Sequence, residues 1–129
     1  MADPVAVVRG VTMDVSDLAR SERFWTAILD CEVTDRYDTY SWLDEIAPGV
    51  RLILQEVPEP KSAKNRVHLD LWSANANALI VRVESLGGTR IADVEDPAYS
   101  LTVMSDPDGN EFCISRRLSP ALTGGAEIP

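Results

Sequence analysis

Apolar and polar residues alternate from residue 10 onward, with Val11, Met13 and Val15 on one side and Gly10, Thr12 and Asp14 on the other. A period of two sends successive side chains to opposite faces, so residues 5–15 predict a strand with one dry face. Ser16 and Asp17 follow, and their side-chain oxygens suit the free N–H groups of a helix's first turn. Leu18, Phe24, Trp25, Ile28 and Leu29 then recur at helical spacing, which makes Phe24 and Trp25 core residues. Further strands are predicted at 31–35, 38–43 and 50–57, the last two parted by the turn former Pro48-Gly49.

A polar, proline-bearing connector covers 58–64, and the order restarts after it. Residues 66–72 alternate again, which assigns Arg66, His68 and Asp70 to one face and Val67, Leu69 and Leu71 to the core. Ser73 and Asn75 are cap candidates for a helix striped by Ala76, Leu79, Ile80, Val83 and Leu86 and closed by Gly87-Gly88. Strands are expected at 89–94, 99–105 and 111–116, with Asp106-Pro107-Asp108-Gly109-Asn110 as a turn and 93–96 as a solvated acidic loop. The pattern is a β-α-β-β-β unit written twice, in an α+β fold. The cap residues Asp17 and Asn75 lie about 58 residues apart. The expected organisation is one domain over 5–117, made of modules 5–57 and 65–117, with a loose tail over 118–129.

Composition narrows what such a domain does. Hydrophobic residues make up 45% of the 129, enough for a core. No run reaches the roughly 18 apolar residues of a membrane helix. The start, MADPVAVVRG, lacks a basic segment followed by an apolar block, so the expected location is the cytoplasm. A formal net charge of -9 repels phosphate backbones, which argues against nucleic acid as a partner and leaves cationic ligands open. Cys31 and Cys113 fit no zinc-binding spacing, are expected to be reduced, and the second lies within a strand.

Three stretches carry a resemblance: Val15-Ser16-Asp17-Leu18-Ala19-Arg20-Ser21 with Phe24-Trp25, residues 65–71, and Asp106-Pro107-Asp108-Gly109-Asn110-Glu111-Phe112. Together the chain resembles the vicinal oxygen chelate superfamily over about residues 5 to 117, most of all its bacterial glyoxalase-like domains. Glyoxalase I, bleomycin-resistance proteins, extradiol dioxygenases and fosfomycin-resistance enzymes belong to that superfamily. The resemblance implies two βαβββ modules whose mixed sheets curl around a cavity, a homodimer, and a small-molecule ligand, with no membrane partner. In metal-using members a divalent ion (Zn, Ni, Mn, Co or Fe) takes ligands from the opening and closing strands of the modules. Other members work without one.

Carried over by position, the resemblance makes His68 and Glu111 the opening- and closing-strand ligands of the second module, as metal-holding or catalytic groups. Imidazole plus carboxylate suits a divalent first-row metal. The first module departs from the pattern, with Gly10 or Thr12 on its opening strand and Arg51, Ile53 or Gln55 on its closing one. Only Gln55 among these is a third metal donor. One histidine per chain disfavours extradiol chemistry, which needs two. Arg66, Asp70, Tyr40 and Trp42 are the candidate substrate contacts, the two aromatic residues as walls of an apolar pocket. Without a metal, His68 would pair with Glu111 and hydrogen-bond a ligand or act as acid or base. Two functions lead, ahead of an auxiliary domain that dimerises and does little chemistry itself. One is a divalent-metal-dependent lyase or isomerase acting on a small oxygen-bearing substrate. The other is a metal-free binding protein for an antibiotic or aromatic compound.

Overall fold

The computed structural model describes residues 5–118. The expected tail therefore lies outside the described residues, except that Leu118 closes the last strand. The chain divides into two compact units at Pro60 and Lys61, and each repeats the order expected from the sequence.

In the first unit, β1 (Gly10–Val15), α1 (Leu18–Leu29), β2 (Val33–Tyr37), β3 (Tyr40–Ala47) and β4 (Val50–Glu56) form a sheet in the order β1-β4-β3-β2. The β1–β4 pair is parallel and the others antiparallel. Asp17 starts the helix: its backbone is extended and its Oδ1 accepts from the Arg20 N–H at 3.0 Å. Asp30 stops it in a left-handed conformation at φ 50°. Phe24 and Trp25 point inward and meet edge to face, with ring centres 5.1 Å apart. They cover the sheet face that buries Leu43, Leu52 and Leu54 completely. The opposite face carries Thr12, Asp14, Tyr40, Trp42, Arg51, Ile53 and Gln55.

The second unit matches it element for element: β5 (Leu69–Trp72), α2 (Ala76–Ser85), β6 (Thr89–Asp96), β7 (Tyr99–Ser105) and β8 (Glu111–Leu118), in the order β5-β8-β7-β6. Asn75 caps α2 by accepting from Ala78 N–H at 3.1 Å, and Gly87 takes the positive φ that ends it. Ile80 and Val83 cover Met104, Phe112 and Ile114, all fully buried or nearly so.

The strand expected over 5–15 begins only at Gly10. Two further expectations change. The strand expected over 66–72 begins only at Leu69, and Val67, expected in the core, is 75% exposed. The reason lies in its partner: β8 begins at Glu111, so the parallel ladder has nothing to hold a residue earlier than His68. Arg66 consequently sits in a bend and does not share a strand face with His68 and Asp70. Second, the acidic run 93–96 is not a loop but the end of β6, paired through to Asp96↔Tyr99. Cations make this tolerable. Asp93 accepts from Arg90 at 2.7 Å and from Arg116 at 2.6 Å. These bonds, with one from the Thr102 hydroxyl, hold its carboxyl below the usual range.

Candidate functional site

The turn 106–110 aims the site. Asp106 is 2% exposed, and its Oδ1 accepts from the N–H groups of Asp108 at 3.0 Å and Asn110 at 2.8 Å. Gly109 supplies the positive φ of 86° that the turn needs. The chain leaves this turn straight into β8, so Glu111 is fixed at its first position. Along the parallel ladder Leu69 pairs with Phe112 and Asp70 with Cys113. His68 and Glu111 therefore stand one step before the first pair, side by side at the mouth of the ladder. Leu69 and Phe112 turn toward the helix, whereas His68, Asp70, Glu111 and Cys113 turn to the open face.

Side by side does not mean paired. His68 Nδ1 lies 3.1 Å from Asp70 Oδ1. Glu111 is claimed from the other direction by the connector: Oε1 accepts from the Asn65 N–H at 3.0 Å and Oε2 from Lys64 Nζ at 3.0 Å, with Lys61 Nζ at 3.7 Å. The Asn65 N–H bond, then the Lys64 bond, and the charges of Lys64 and Lys61 hold the Glu111 carboxyl below its ordinary range. The imidazole thus keeps Asp70 rather than Glu111 as its partner. An open cavity of about 440 Å³ lies along this connector, lined by Ala63, Lys64, Asn65 and Arg66.

Behind His68 and Asp70 lies Cys113. Its thiol, His68 and Asp70 each offer a ligand atom, and these atoms lie within 4.8 Å of one another. Burial, then the Asp70 charge and a hydrogen bond to it, push the Cys113 thiol up. Cys113 is 6% exposed, so it forms the floor of the cluster, with His68 and Asp70 at the rim.

Comparison of the two ladders resolves the first unit. There Gly10 pairs with Arg51, Thr12 with Ile53 and Asp14 with Gln55. Since Val11↔Leu52 corresponds to Leu69↔Phe112, Gly10 and Arg51 hold the places of His68 and Glu111. Thr12 and Ile53 hold those of Asp70 and Cys113, and Gln55 that of Ser115. The first unit has no imidazole or carboxylate at these places, and its Arg51 pairs with Asp35 at 3.6 Å. Tyr40 and Trp42 share a face, as alternation predicts, and the pairs Tyr40↔Gln55 and Trp42↔Ile53 bring Gln55 onto it.

Sequence reasoning missed three contributors. Lys61 and Lys64 sit in a stretch without periodicity, and only the fold carries them to Glu111. Cys113 left a usable signal: it stands two residues beyond Glu111 and hence on the same strand face.

The family model described as "Glyoxalase-like domain" matches residues 10–115. Among solved structures, a glyoxalase/bleomycin resistance protein from Albidiferax ferrireducens T118 is 19% identical. The match covers 84% of this chain and 97% of that one, with a TM-score of 0.65. A glyoxalase/bleomycin resistance protein/dioxygenase family enzyme from Burkholderia phytofirmans PsJN is 16% identical over 85% and 98%, with a TM-score of 0.73. A mutant of the fosfomycin resistance protein FosX from Listeria monocytogenes, complexed with Mn(II) and 1S,2S-dihydroxypropylphosphonic acid, is 15% identical over 87% and 90%, with a TM-score of 0.72. No curated protein sequence matches the chain.

Proposed function

The chain belongs to the glyoxalase-like domain family of the vicinal oxygen chelate superfamily, and on that premise we propose a divalent-metal-dependent lyase or isomerase acting on a small oxygen-bearing molecule. One observation carries this reading: the sole imidazole of the chain stands on an open sheet face in contact with the Asp70 carboxylate, with Glu111 in the adjoining ladder position. Imidazole and carboxylate donors fit zinc, nickel, cobalt, manganese or iron. His68 would hold the ion together with a carboxylate of this face. A bound ion supplies Lewis acidity toward neighbouring substrate oxygens. The FosX relative, complexed with Mn(II) and a dihydroxypropylphosphonic acid, supports the substrate class by analogy.

The protein's own groups do the rest. Asp70 stands beside the His68 ring, its Oδ1 3.1 Å from Nδ1, so that a carboxylate and the imidazole face the same opening. Lys64 and Arg66 present positive charge beside the open cavity, where an acidic substrate group would settle. On the matching sheet face of the first unit, Tyr40 and Trp42 present aromatic surface of the kind that lines small-molecule pockets. A homodimer in the cytoplasm belongs to the same proposal. Calorimetric titration of gently purified protein with zinc, nickel, cobalt and manganese tests it. One equivalent per chain, lost in His68→Ala, is expected. Failure to take up any of the four overturns the metal reading.

A second reading has its own observation. Glu111 is engaged by two lysines and a backbone N–H, and Arg51 fills the equivalent place in the first unit. These contacts suit a metal-free site that binds an antibiotic or aromatic compound. Thermal shifts by such compounds in the presence of a chelator would favour this reading. No shift with any of them would count against it.

A further inference from the structure

We infer that the metal-binding group of this protein is His68, Asp70 and Cys113, one ladder step along from the His68 and Glu111 pair, with Glu111 outside the coordination sphere. This rests on the metal-dependent reading above and names its donors. The three ligand atoms lie within 4.8 Å of one another. A tetrahedral zinc with bonds of 2.0–2.3 Å needs its donors roughly 3.3–3.8 Å apart. The difference of about 1 Å is within the reach of side-chain rotation, because His68 and Asp70 are 43% and 60% exposed and free to close on the ion. The rigid member is the thiol, which β8 holds at the floor next to the fully buried Phe112 and Ile114.

Glu111 has the opposite circumstances. Its two oxygens are already spent on Asn65, Lys64 and Lys61, and moving it to an ion would strip three donors from the connector. A lysine ammonium 3.0 Å from that carboxylate would also repel a dication bound there. The remaining set is one nitrogen, one oxygen and one sulfur. Three protein ligands leave a fourth position open for water or substrate, the arrangement of a catalytic rather than a structural zinc. Thiolate and imidazole select zinc or cobalt over magnesium or manganese. On binding, the Cys113 S–H bond breaks heterolytically, the sulfur pair goes to the ion and the proton to solvent, with no change of oxidation state. Thr12 and Ile53 occupy the equivalent places in the first unit, so the stoichiometry is one ion per chain.

Cobalt(II) titration of the chelator-treated full chain tests the donor set, because only a thiolate ligand gives a sulfur-to-cobalt charge-transfer band in the near ultraviolet. The band should saturate at one equivalent and be displaced by zinc. Cys113→Ser should abolish it and weaken binding on the order of 100-fold, and Asp70→Asn should weaken binding at least about 10-fold. Glu111→Gln should keep the sulfur band and lose less affinity than Asp70→Asn, since its carboxylate is engaged by Asn65, Lys64 and Lys61. Asp70 is largely exposed, so its variant folds even if the Cys113 variant does not. Cobalt uptake without a sulfur band, or affinity lost in Glu111→Gln and kept in Asp70→Asn, would overturn the donor set and leave metal dependence standing. No uptake of cobalt or zinc would overturn both.

Discussion

Replacing Phe112 by alanine tests whether the strand that carries Glu111 and Cys113 is held by the packing of its other face. Phe112 is 0% exposed, sits between those two residues, and pairs with Leu69 on one side and Met104 on the other. Ile80 and Val83 of α2 bury against the same face. Truncation removes the ring's transfer free energy and leaves a cavity that the flanking β5 and β7 cannot close, a loss of about 3–5 kcal/mol. With an m-value of about 2 kcal/mol/M, the urea midpoint should fall by about 1.5–2.5 M. Such a loss is a large part of the roughly 5–15 kcal/mol that stabilises a domain. Val81→Ala, on the same helix but 65% exposed, should move the midpoint by less than about 0.3 M, the size of an ordinary surface change. Circular dichroism against urea reads both. If the two variants shift alike, Phe112 is not the keystone of the sheet, and the fixed position of Cys113 loses its physical basis.

Two further outcomes follow from other parts of the fold. Glu111 is held below its ordinary pKa of 4.5, so it contributes stability that is present above that value and disappears as pH falls through the lowered one. The original protein should therefore lose stability on acidification below pH 4.5, and Glu111→Gln should be less stable at neutral pH with a shallower acid limb, read by thermal melts from pH 3 to 7. Lys64 is 78% exposed, which keeps the neutral-pH loss small. A Cβ on Gly88 would stand 2.5 Å from Val83 Cγ1 and 2.8 Å from the Ser105 carbonyl oxygen, so Gly88→Ala should cost about 1–3 kcal/mol in urea unfolding. Unchanged stability in Gly88→Ala would show that α2 packs less closely on β7 than the structure has it.

The order of elements was legible because it depends on local rules. Alternation marks β1, helical spacing marks α1 and α2, and Asp17, Asn75 and Gly87 punctuate them within a residue of the expected ends. Boundaries failed where a partner decides them. No property of residues 66–68 says that β5 must wait for Leu69, since that is set by where β8 begins. Likewise the acidic residues 93–96 read as a loop until Arg90 and Arg116 are seen to neutralise Asp93.

The site divides along the same line. By itself the sequence determined that the one histidine stands at the start of the second module, that Glu111 leaves a tight turn, and that Tyr40 and Trp42 share a face. Spacing and period are enough for each of these. Only the tertiary structure decided who partners whom: Asp70 with His68, the connector lysines with Glu111, Cys113 beneath them, and Arg51 in the first unit's matching place. Apart from His68 and Asp70, two residues apart on a face that alternation already gave them, these contacts join residues tens of positions apart, and one-dimensional patterning carries no information about such distances.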